Sequence, residues 1–210
     1  MIRLNALSYN SSTHTQFPTT MNPFAITLIV AGTLLVLYLV VIYNRLVNLK
    51  HNVGMAWSNI DVLLKQRHDE LPKLVETCKQ YMSYERATLE AVMRARQGVA
   101  DAQKRGDLPA LGAAESQLRL GLGQLFAVAE AYPELRASDN FRHLETRITG
   151  LENAIADRRE FYNDSVNMNN VRIEQFPDVL AAQMFHFGPF RLLEFTDPEK
   201  RDVDLARLFR

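Results

Sequence analysis

The chain has a single cysteine, Cys78, which rules out an internal disulfide and a zinc site built on cysteine. It has no excess of either charge: 24 basic and 24 acidic residues leave a formal net charge of zero, without the basic footprint that nucleic-acid binding needs. Among its five histidines, His14, His51, His68, His143 and His186, no two stand four apart, which removes the two-histidine helical zinc site. No Glu-x-x-His pair occurs, which removes the di-iron pattern of helical proteins. A nucleophile elbow and a phosphate loop are likewise missing. Gly121-Leu122-Gly123 is a fragment of a glycine loop, but it lies in a helical stripe with no strand before it and reads as a packing site.

Charge is also missing from residues 24 to 43, FAITLIVAGTLLVLYLVVIY. At about 1.5 Å per residue such a helix spans about 30 Å, the hydrocarbon thickness of a bilayer. No lysine or arginine closely precedes the run and no A-x-A site follows it, so it reads as an uncleaved anchor rather than a signal peptide. Arg45, Lys50, Lys65 and Arg67 follow it, whereas Arg3 is the one basic side chain before it. That bias places the C-terminal side in the cytoplasm and the N-terminus outside. Residues 1 to 22, rich in Ser, Thr and Asn, read as a disordered tail, and either Met1 or Met21 serves as the start.

Beyond the span, apolar residues recur in steps of three and four, as in Val53, Trp57, Ile60, Leu64, Leu71, Leu74, Cys78 and Met82. This is one face of a helix that starts directly after the anchor. A turn is expected near residues 80 to 84, with Ser83 capping the next helix and a kink at Pro72. Lys104-Arg105-Gly106-Asp107-Leu108-Pro109 is a second break, with Asp107 as cap and Pro109 in the first turn. Gly112, Gly121 and Gly123 in the following helix predict close backbone packing. A last long helix, capped by Ser138 or Asp139, carries the stripe Phe141, Leu144, Ile148, Leu151, Ile155, Tyr162, Val166, Ile173 and Phe176, with Arg158 and Asn169 turned inward as polar interruptions. The expected fold is all-α: an N-terminal transmembrane helix, then an antiparallel up-and-down four-helix bundle with short connections.

Few residues offer chemistry. Cys78 lies on the apolar stripe and reads as a small buried hydrophobe. Asp61, Lys65, Arg67 and Asp69 form a charge cluster that Arg158 faces across the bundle. It reads either as buried ion pairing that fixes register or as a polar site of a hydrolase or ligand-binding protein, and the first is favoured. Trp57 reads as a core anchor. Four alternating helices that start at the membrane end facing it, so the apolar segment after Pro177, with Phe185, Phe187, Phe190 and Leu193, either folds back onto the bundle or meets lipid or a partner. The charged run of residues 196 to 201 returns to water.

Two signatures in order then carry a resemblance. Tyr43-Asn44, Ala56-Trp57, Ile60-Asp61-Val62, Leu64-Lys65, Arg67, Asp69, Pro72 and Ala95-Arg96 form the first, and Arg158-Arg159, Tyr162-Asn163, Asn170 and Phe176-Pro177 the second. Together they resemble the LemA family of bacterial membrane-anchored helical-bundle proteins, with departures at Lys73, Gln80, Tyr84 and Asn169. The resemblance implies no established activity, no catalytic residues and no cofactor. It implies an association with membrane proteostasis, and as a partner class a membrane metalloprotease of the HtpX kind.

The expected organisation is a tail over 1–22, a transmembrane helix over 23–43, a LemA-like bundle over 44–177 and an apolar segment with a charged tail over 178–210. The expected function is a non-enzymatic scaffold or adaptor at the bacterial inner membrane, single-pass, with the bundle in the cytoplasm. Its expected partners are the bilayer, membrane proteins and further copies of itself.

Overall fold

The computed structural model describes residues 22–195. The expected N-terminal tail over 1–22, apart from Asn22, and the charged run from 196 fall outside them. The chain divides into two compact units, Met1–Val41 and Ile42–Arg210. Among the described residues there is no strand, and the order is α1 Pro23–Lys79, α2 Arg86–Arg105, α3 Leu108–Ala129, α4 Pro133–Ala137, α5 Asp139–Glu174 and α6 Asp178–Met184. In the first unit the large apolar side chains between Phe24 and Val41 are all exposed. A soluble helix does not leave such a surface to water, and this one is long and apolar enough to cross a membrane. The chain is therefore a membrane-associated protein.

In the second unit α1 buries Val53, Ile60, Leu64, Leu71, Leu74 and Cys78 of the three-four stripe read from the sequence, with Ala56 buried where the half-buried Trp57 was expected. Pro72 sits inside this helix. A proline has no N–H to give the carbonyl four residues back. That carbonyl, on His68, instead accepts a hydrogen bond from Arg96 Nε at 2.8 Å. An arginine on α2 thus compensates a proline on α1.

α1 ends at Lys79, where the turn was expected, but Ser83 does not cap α2. Glu85 holds the N-cap position and makes no side-chain cap bond. Gly106 ends α2 in the left-handed conformation at φ 65°, which glycine adopts without strain. Asp107 then accepts from the Ala110 N–H at 3.2 Å and caps α3.

Side-chain contacts fix directions. Trp57 meets Tyr162, Arg67 meets Glu152 and Glu70 meets Arg147, so α5 runs opposite to α1. Asp61 meets Gln103 and His68 meets Arg96, so α2 also runs opposite to α1. On α3, Gly121 lets Val92 of α2 approach to 3.5 Å of where a Cβ would stand. Gly112 and Gly121 thus pack closely, whereas Gly123 is exposed with nothing near it.

Two readings of the long C-terminal helix need correction. Arg158 is exposed rather than turned inward, while Asn169 is buried. Phe176 lies past the end of α5 and is 80% exposed. The apolar segment after residue 177 folds back, the first of the two arrangements expected for it. α6 packs through Ala181 and Ala182 on Ile42, Leu46 and Ile173, and Phe190, Leu192, Leu193 and Phe195 pack against the main core.

Candidate functional site

The charge cluster read from α1 comes apart in three dimensions because its members sit on different faces of one helix. Arg67 points into the core and is fully buried. Lys65 and Asp69 are exposed, Asp61 is half-buried, and exposed Arg158 does not join them. Asp61 and Lys65 instead line a shallow groove of about 410 Å³ with His68, Gln97, Gln103 and Lys104. In that groove Asp61 accepts from Gln103 Nε2 at 2.7 Å.

The partners of Arg67 come from two other helices. Its Nη2 pairs with Glu115 Oε1 on α3, and its Nη1 with Glu152 Oε1 on α5 at 2.5 Å. Glu115 is buried almost as fully as its partner, and Glu152 is also held by Arg119 Nε at 3.6 Å. Burial disfavours the charge on Arg67, but the two carboxylates more than reverse this and raise its pKa above the ordinary value. Burial pushes the Glu115 carboxyl up, with Arg67 opposing. Nearby, Glu70 bridges to Arg147 Nε at 3.0 Å and to Lys73 at 3.2 Å. Three helices are thus linked by ion pairs, although the buried Arg67 Nε has no hydrogen-bond partner among the described residues. Glu70, Glu115 and Glu152 were missed from the sequence. Glu115 was detectable, since it stands between Leu111 and Leu118 on the apolar stripe of α3.

The other candidates are equally closed. Burial, with Glu145 adding, pushes the Cys78 thiol up to about 12, which removes the thiolate a nucleophile requires. Trp57 is half-buried and meets Tyr162 edge-on at 5.6 Å. Among the described residues no group of three or more His, Cys, Asp or Glu is placed to hold a metal ion.

The segment Phe185, Phe187, Phe190 and Leu193 divides into two parts. Leu193 is fully buried and half-buried Phe190 packs on the core, so neither offers a surface to a partner. Their backbone is gripped by asparagines of α5. Asn170 accepts from the Phe190 N–H at 2.9 Å and donates to its carbonyl at 2.8 Å. Asn163 does the same for Leu193, at 2.9 and 3.1 Å. The Tyr162 hydroxyl donates to the Arg191 carbonyl at 2.9 Å, and Arg159 lies 4.2 Å over the Phe195 ring. Phe185 and Phe187 remain near the start of the unit, with rings 4.8 and 5.9 Å from Tyr43. Phe185 is half exposed.

Magnetosome protein MamQ of Magnetospirillum gryphiswaldense is 25% identical, over 70% of this chain and 65% of its own length. Magnetosome protein MamQ 2 of Paramagnetospirillum magneticum is 25% identical over 64% of this chain and 58% of its own. The chain thus spans about three fifths of these relatives. Protein LemA of Metamycoplasma hominis is 25% identical over 79% of this chain and 74% of its own. The profile of the LemA family matches residues 56–206, most of the second unit, and on that match this chain belongs to the LemA family.

Proposed function

We propose that this protein is a membrane-tethered, non-enzymatic scaffold. Residues 24–43 anchor it, and α1 beyond Ile42, α2, α3 and α5 form an antiparallel up-and-down four-helix bundle that presents its outer faces to membrane proteins or to further copies of the chain. The observation that carries this reading is the closed Arg67–Glu115–Glu152 network. Arg67 and Glu115, both buried, are spent on one another, and Arg67 also pairs with Glu152. A link to membrane proteostasis, through a membrane metalloprotease of the HtpX kind, follows from the family's association alone.

The lysine and arginine bias around the span supports a cytoplasmic bundle at the bacterial inner membrane. A reporter active only in the periplasm, fused after Arg210, is expected to stay silent. Its activity would reverse the orientation. The groove beside Asp61 and Lys65 is the alternative place for ligand chemistry, but Asp61 is held by Gln103 and His68 by Arg96. To separate the two, photo-crosslinkers are placed at exposed Met55, Val62 and Leu120 of the full chain in intact membranes. The scaffold reading expects adducts with defined membrane proteins from some positions and not others. Adducts from none, or turnover of a hydrolase substrate that disappears in Asp61→Asn, would overturn it.

A further inference from the structure

α6 is amphipathic in an unusual sense. Its inner face carries buried Asp178, Ala181 and Ala182, with Asp178 paired to Arg172. Apart from Gln183, its outer face is apolar. Leu180 and Met184, four residues apart and so on one side of the helix, are 56% and 63% exposed. Phe176 just before the helix is 80% exposed, and Phe185 just after it 50%. Four large apolar side chains exposed on and beside one short helix mark an interaction surface.

The neighbours of α6 identify what covers that patch. Ala181 and Ala182 pack on Ile42 and Leu46, and Phe185 on Tyr43. Ile42 is bonded to Val41, the last residue of the exposed apolar stretch. If residues 24–43 cross the bilayer, residues 42–46 stand at its surface, and an element packed on them stands there too. The charge pattern agrees. Exposed Arg45 lies in the same turn as Tyr43 and Leu46 and can pair with anionic headgroups, while Arg172 is paired with Asp178.

We propose that α6 is a second membrane contact, with Phe176, Leu180, Met184 and Phe185 inserted at the headgroup–acyl boundary of the bilayer that the span crosses. The proposal rests on the anchored reading of the chain. An interfacial helix gains affinity from its buried apolar area. Here the span already holds α6 at the surface, so a short helix suffices to fix the domain against the membrane.

The test uses the full chain with Cys78→Ala, reconstituted in vesicles of phosphatidylcholine and phosphatidylglycerol. Single cysteines at Leu34, Val62 or Met184 carry an environment-sensitive fluorophore. Lipids bearing a nitroxide near the headgroup or near the chain end act as quenchers. The label at Met184 should be quenched by the headgroup-proximal nitroxide at least about twofold more than the same label at exposed Val62, as an interfacial side chain requires. The Leu34 label should be quenched most by the chain-end nitroxide. Equal weak quenching at Met184 and Val62, with Leu34 deeply quenched, overturns the contact and leaves the anchor standing. A Leu34 label that no lipid quenches overturns the anchor itself. A Met184 label that is shielded without lipid quenching, in proportion to protein density, overturns the lipid contact in favour of a second copy.

Discussion

Arg67 places a full charge on the helix face where Leu64 and Leu71 place hydrocarbon. Taking a guanidinium and two carboxylates out of water is costly, and their mutual attraction offsets this only while all are present. Arg67→Met is therefore expected to destabilise the domain by about 3–5 kcal/mol, because Glu115 is left buried without its partner. The double variant Arg67→Met, Glu115→Leu should recover much of that, since Glu152 is partly exposed and keeps Arg119. Urea unfolding followed by helical circular dichroism reads both, and a negligible loss for the single variant would show that Glu115 reaches water. On the next residue, His68 gives a pH signature. Burial first, and then the charge of Arg96, hold its imidazole below the ordinary 6.5. Its Nε2 lies 2.6 Å from Arg96 Nη2, where it accepts while neutral. On acidification the unfolded chain takes up the proton first, so stability is full above about pH 6.5 and is lost as pH falls through the lower folded value. His68→Gln should flatten this decline in a urea series over pH. An unchanged slope would place the acid sensitivity elsewhere.

At the scale of elements, the three-four stripes and the Gly106-Asp107-Pro109 break made the long helices legible, because periodicity and caps are local signals. α4 and α6 were not legible, being too short to show a period. The site was less legible than the fold. A cluster close in sequence is dispersed by the 100° step of a helix, and the true partners of Arg67 lie 48 and 85 residues away. The returning tail was legible only as apolar. What holds it is a pair of asparagines seven residues apart, each reading both polar groups of one tail residue. Gly112 supplies the clearance: a Cβ there would stand 1.9 Å from the Glu194 carbonyl oxygen. Gly112→Ala should therefore displace the tail, and Asn163→Ala should cost about 1–3 kcal/mol by leaving the Leu193 N–H and carbonyl unpaired. Limited proteolysis should cut both variants faster between residues 188 and 195 than the parent chain. Unchanged cleavage would mean that apolar burial alone holds the tail.

For the whole molecule, the boundary between anchor and domain is set by packing rather than by hydropathy. The apolar run continues to Tyr43, which suggests a domain beginning at Asn44. Yet Ile42 is 4% exposed against Leu46, Ile173 and the alanines of α6, and Tyr43 carries two aromatic contacts. Both residues therefore belong to the folded unit. A fragment beginning at Ile42 should be helical and unfold cooperatively. One beginning at Asn44 loses a buried isoleucine, a deletion on the scale of 2–4 kcal/mol, or about 5–15 °C in Tm for a domain of this size. Thermal unfolding of the two fragments, monitored at the helical band, makes the comparison. The full chain should remain in membranes washed at high pH, because a span of this length holds without electrostatic help. Release of the full chain by that wash would remove the anchor. Equal Tm values for the two fragments would move the boundary back to Asn44.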